Sequence, residues 1–125
     1  MAVEQDYILR QIKSVIKVIA KLLFNKEDVN YELPQNGKFS ELDNLYVKLN
    51  ELLTQNKINE AEDLLFKNID PTNLNCLQII LWFYEVLAQK NDDELKNNNF
   101  SKEEVFQGFY DAVAFYNIKK IDNKG

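Results

Sequence analysis

SELDNLYVKLNELLTQNKINEAEDLLFKNI, residues 40–69, decides the fold class. Leu42, Leu45, Tyr46, Leu49, Leu52 and Leu53 recur at i, i+3, i+4 and i+7, the period of one helix face. Ser40 precedes them with Asp43 three residues on, the spacing of a capping box. The pattern stops near Gln55–Asn56 and resumes with Ala61, Leu64, Leu65 and Ile69. Asn59 and Glu62 predict a second capping box at the start of that third helix. Only Asn56 to Ile58 separates the two helices, and a turn that short makes antiparallel neighbours. Residues 40–69 therefore predict an α-helical hairpin.

Toward the N-terminus, a connection over 27–39 carries Pro34, which argues against helix, and Gly37, which can take a positive φ. Val29, Tyr31, Leu33 and Phe39 alternate there with polar residues, so part of it is predicted to be extended and packed. Before it, residues 1–26 predict a basic amphipathic helix from about Glu4 to Asn25. At 100° per residue, Ile8, Ile12, Val15, Ile16, Ile19, Leu22 and Leu23 form one wide apolar face. Arg10, Lys13, Lys17 and Lys21 form a stripe opposite it.

Toward the C-terminus, residues 70–120 predict a second helical hairpin. Asp70-Pro71 reads as an N-cap with proline at the first helical position of helix four. From Leu74 to Leu87 that helix is apolar nearly all round, so it is central in the core or its outer side is an interface. Residues 89–99, QKNDDELKNNN, read as a solvated loop. Ser101 with Glu104 caps helix five, and Phe100 with Val105 has the spacing of a hydrophobic staple.

Composition bounds the chemistry. A chain of 125 residues fits one domain, and 46 % hydrophobic residues are too many for a disordered one. Three glycines and two prolines supply few turns, which favours long helices over a β-sandwich. The chain has no histidine, so the commonest general base and metal ligand is missing, and Ser-His-Asp and Cys-His arrangements are excluded. One cysteine, Cys76, permits no intrachain disulfide and no thiolate zinc site, and it reads as a small buried hydrophobe. Glycines at 37, 108 and 125 make no phosphate-binding loop. The acids from Asp92 to Glu104 fail as a calcium loop, because Lys96 falls on a ligand position and Asn97 where glycine is required. Glu60, Glu62 and Asp63 read as acids favoured at a helix start. No cofactor and no catalytic residue is predicted, and the chain is expected not to be an enzyme.

Charge is the most informative feature. The net charge is −5, yet residues 1–26 hold five cations against two acids, leaving −8 on the remainder. The stripe Arg10, Lys13, Lys17 and Lys21 is the predicted contact for an acidic protein partner. An anionic membrane surface is the alternative, since a basic amphipathic helix can lie among lipid headgroups. Four or five cations on an acidic protein make a weak footprint for nucleic acid, which is not expected as a partner. No window is apolar enough to span a bilayer and no signal peptide is legible, so the expected compartment is the cytoplasm.

Two resemblances join this reading. The string Asp6-Tyr7-Ile8-Leu9-Arg10-Gln11-Ile12-Lys13, followed by Ala20-Lys21-Leu22-Leu23-Phe24-Asn25-Lys26, resembles the opening of a family of small uncharacterised bacterial all-helical proteins, a domain of unknown function. That resemblance implies an all-helical fold and no assigned activity. The 40–69 hairpin is similar to a tetratricopeptide unit, with Leu45, Leu52, Ala61 and Leu65 as large, large, small and large. It departs from that pattern at Leu49, where glycine is usual, and at Asn68, where a small apolar residue is.

The fold expected is a single all-α domain, residues 1–125, of about five helices: two antiparallel, tetratricopeptide-like hairpins with the N-terminal amphipathic helix across them. The function expected is a non-catalytic protein–protein interaction module or structural adaptor. A homodimer is expected, because helices one and four together carry more apolar surface than five helices cover. An apolar pocket lined by Trp82, Tyr84, Phe109 or Tyr110, serving a small ligand or a reaction, ranks last.

Overall fold

The computed structural model describes residues 3–117. Among them are six helices: α1 Val3–Phe24, α2 Glu41–Thr54, α3 Ile58–Lys67, α4 Leu74–Ala88, α5 Asp92–Lys96 and α6 Lys102–Ala114. The expected all-α class holds. α4 is the hub, with α1, α2 and α6 packed on it, α3 on α2, and α1 also on α6. Beyond its exposed first residue Leu74, most of the apolar circumference of α4 is covered by this chain itself: Leu77 through Tyr84, Leu87 and Ala88 are all buried. Trp82, Tyr84, Phe109 and Tyr110 belong to that core.

Two helix starts follow from local sequence alone. Ser40 Oγ accepts from Asp43 N at 3.1 Å while Asp43 Oδ2 accepts from Ser40 N at 2.8 Å, the reciprocal box expected. Ser101 and Glu104 repeat it at 3.1 and 2.9 Å, with Phe100 and Val105 buried beside them.

Two other starts depart from expectation. α3 begins at Ile58 after Lys57, with no cap from its own side chains. Its cap comes from across the molecule, where Asn98 Oδ1 accepts from Ile58 N at 3.0 Å. Asn59, expected as the N-cap, instead donates to Asn98 O at 2.7 Å. α4 begins at Leu74, capped by Asn73, rather than at Asp70-Pro71. Asp70 Oδ1 accepts from Thr72 N at 2.9 Å and Thr72 Oγ1 at 2.6 Å, so Asp70 closes a turn that precludes the helix. The 89–99 segment, expected as loop, contains α5, capped by Asn91 and Glu94 and anchored by buried Leu95.

Asparagine takes the role glycine usually has at helix ends. Asn25, Asn56 and Asn99 follow α1, α2 and α5 with φ of 53°, 59° and 53°. The residues after the last two close back on the helix, Lys57 N to Leu52 O at 2.8 Å and Phe100 N to Leu95 O at 2.9 Å. Asparagine tolerates this left-handed conformation, which explains how so few glycines suffice.

The first part of the 27–39 connection packs on the core, as expected for part of it, while Phe39 is exposed. Val29 is buried, and Gln78 Nε2 donates to Asn30 O at 3.1 Å. Tyr31 stacks on Tyr46, which packs on Trp82, with centroids 4.9 and 4.6 Å apart. Tyr31 Oη donates to Asp43 Oδ1 at 2.6 Å. That bond and the Ser40 N–H hold the Asp43 carboxyl below its ordinary range. Burial and the carboxylate push the Tyr31 phenol up. At the other end, Tyr116 Oη donates to Asp70 O at 2.7 Å and Asn73 O at 3.1 Å, fastening α6 to the turn before α4.

Candidate functional site

α1 packs by one face only. Leu9, Ile12, Val15, Ile16, Ile19 and Ala20 are buried against α4 and α6. The face expected to be apolar and covered also included Leu22 and Leu23, and these are not covered. Leu22 is 77 % exposed and Leu23 47 %. Leu22 lies off the centre of the buried arc, and both sit in the last turn of the helix. Tyr7 and Val18 are also exposed, at 59 % and 46 %. On the helix projection Tyr7, Val18 and Leu22 occupy an arc of about 60°, directly beside the arc of Arg10, Lys17 and Lys21. The outward side of α1 thus carries three exposed apolar side chains, with Gln11 and Ser14 on the same side between Tyr7 and Val18, and cations along one edge.

The structure divides the cationic stripe. Lys17 and Lys21, with Val18 and Leu22, line a shallow groove of about 530 Å³ that Lys26 and Glu27 complete. Lys21 Nζ lies 3.1 Å from Glu27 Oε2, an ion pair so exposed that it contributes little. Arg10 and Lys13 belong instead to a separate cleft of about 650 Å³, between α1, the α4–α5 turn and the start of α6. Lys90, Asp92 and Lys102 share that cleft.

Lys102 was not singled out by sequence reasoning, although a signal existed. It is the first residue of α6, where the helix dipole disfavours a cation, and it is buried. Its Nζ lies 2.8 Å from Asp92 Oδ1, which offsets part of that cost.

A third cluster surrounds Gly108. Tyr84 Oη, fully buried, donates to Glu62 Oε2 at 2.6 Å. Burial, with Asp63, Glu104 and Asp111 nearby, pushes the Glu62 carboxyl up despite that bond. A Cβ at 108 would overlap Glu62 Oε2 and lie 2.8 Å from Tyr84 Oη, so glycine is what lets α6 approach. Glu62 is therefore more than a helix-start acid. Its partner is Tyr84, and the pair ties α3 to α4. Among the described residues no group of His, Cys, Asp and Glu side chains could hold a metal ion. None of the described helices is long and apolar enough to cross a membrane.

Geometry thus defines an all-helical protein built round one buried helix, with two cation-lined concavities that both involve α1. A family model matches residues 2–117, and the chain belongs to that family of unknown function, DUF6483. The opening string likewise resembled a family of unknown function. No curated protein and no solved structure matches the chain.

Proposed function

We propose that the protein is a non-catalytic, cytoplasmic interaction module, and that the outward side of α1 is its docking surface for an acidic amphipathic segment of a protein. The observation that carries this is the exposed pair Val18 and Leu22 lining one groove with Lys17 and Lys21 along its side. Apolar contact supplies affinity and the flanking ammonium groups supply orientation and choice of partner. A lipid surface fits less well. The broad apolar face of α1 is already spent on α4 and α6, and the strip left outside is too narrow to sink a helix among acyl chains.

A second copy of the chain also offers an acidic surface, since its residues beyond 26 carry −8. Homodimerisation through α1 is one form of the same reading. Sedimentation of the wild type beside Lys17→Glu/Lys21→Glu tests that form, and a dimer lost on charge reversal supports it. Co-sedimentation with anionic vesicles, weakened by salt, would contradict the protein-docking reading and favour a membrane role.

A further inference from the structure

We infer that the cleft between α1 and the α4–α5 turn is a separate binding site for a small, multiply charged phosphate-bearing ligand. The inference concerns Arg10, Lys13, Lys90 and Lys102, of which only Arg10 also borders the outward strip of α1. Four cations converge on this cleft from three distant parts of the sequence: Arg10 and Lys13 on α1, Lys90 after α4, and Lys102 on α6. Helical patterning explains Arg10 and Lys13 as neighbours, but it cannot explain Lys90 and Lys102 beside them. Asp92 is the acid among the described lining residues, and it is engaged with Lys102. Among the described lining residues that leaves three further cations, Arg10, Lys13 and Lys90, on a chain whose net charge is −5.

Two features make the concavity suited to an anion. Leu9 and Ala88, both buried, supply the apolar part of its lining, and buried apolar surface strengthens the charge interactions beside it. Lys102 is a cation placed where its own helix opposes it, and such local rule-breaking concentrates at functional sites. The volume, about 650 Å³, falls in the range of small-molecule sites and accepts a polyphosphate chain with room to spare. Arg10 offers planar, bidentate donors to phosphate oxygens, and Lys13 and Lys90 act as point charges.

The test is isothermal titration of the full chain with inorganic tripolyphosphate and, in parallel, with adenosine triphosphate at low salt. Saturable binding of tripolyphosphate is expected, weakening as salt rises. Arg10→Ala/Lys90→Ala is expected to raise its Kd at least tenfold, and Lys17→Ala/Lys21→Ala to leave it within twofold. Arg10 is exposed and Lys90 half-buried, so that variant is expected to stay folded, which circular dichroism checks. Tighter binding of the nucleotide than of tripolyphosphate would show that the cleft reads more than phosphate, and supports the site. Absence of saturable binding to either probe, or equal weakening in both variants, overturns it. Either result leaves the docking reading of α1 untouched, because that rests on Lys17, Lys21, Val18 and Leu22.

Discussion

α1 and α4 are the two long, strongly apolar helices of this chain, and they are used in opposite ways. α4 is buried nearly all round by its own chain, from Cys76 to Tyr84 and again at Leu87 and Ala88. α1 buries one face and leaves Tyr7, Val18 and Leu22 outside, beside its cations. Apolar content alone does not distinguish core from contact surface. What distinguishes them is which elements the rest of the chain has left to cover each face. Here α2 and α6 flank α4, while nothing among the described residues covers the outer side of α1.

The largest effect is expected within α4. Phe83→Ala removes a fully buried ring packed against Tyr84 at 5.0 Å and should destabilise the fold by about 3–5 kcal/mol in chemical denaturation. A loss under about 1 kcal/mol would mean that α4 is not the hub. Next comes Gly108→Ala, where the sign is the test. Helix propensity alone favours alanine by up to about 1 kcal/mol. The overlap with Glu62 and Tyr84 should outweigh this, giving a net loss of about 1–2 kcal/mol by thermal or chemical unfolding. A stabilised variant would show that α3, α4 and α6 do not meet as described.

A smaller effect sharpens the same contact by its pH dependence. The raised Glu62 carboxyl contributes stability that is fully present below the ordinary glutamate value of about 4.3. That contribution is lost as pH rises through the folded value. Glu62→Gln keeps an acceptor for Tyr84 without the charge, so the variant should gain on the wild type as pH rises from 4 to 7. Asp43 behaves oppositely: its lowered carboxyl stabilises the fold above the ordinary aspartate range, and that stability fades as pH falls through the folded value. Asp43→Asn should therefore lose most against the wild type near neutrality. Parallel pH profiles for wild type and both variants would contradict the two assignments. The smallest effect is expected on α1, where Leu22→Ser should change stability by less than about 0.5 kcal/mol.

Much of this fold is legible in the sequence wherever its cause is local. The Ser40–Asp43 and Ser101–Glu104 boxes are local chemistry, and both helices start where they predict. The start of α3 is not legible, because its cap is Asn98, forty residues away in sequence. α5 escapes for a related reason. Its one buried residue, Leu95, gives no periodicity, and its stability comes from a capping box and burial. The stripe Arg10, Lys13, Lys17 and Lys21 is legible as a stripe. Its division between a cleft and a groove is not, because Lys90, Lys102 and Glu27 reach it only through the tertiary fold.

The central claim is that the outer side of α1 is a docking surface and not merely a solvated one. The direct measurement places a photo-crosslinking residue at Leu22 and, as a control, at Lys48, which is exposed on α2. Both are irradiated in cells of the source organism. A discrete adduct from position 22 to an acidic protein segment or a second copy, absent from position 48 and lost with Lys17→Glu/Lys21→Glu, is the predicted result. No adduct at position 22, or one that survives charge reversal unchanged, would contradict the claim.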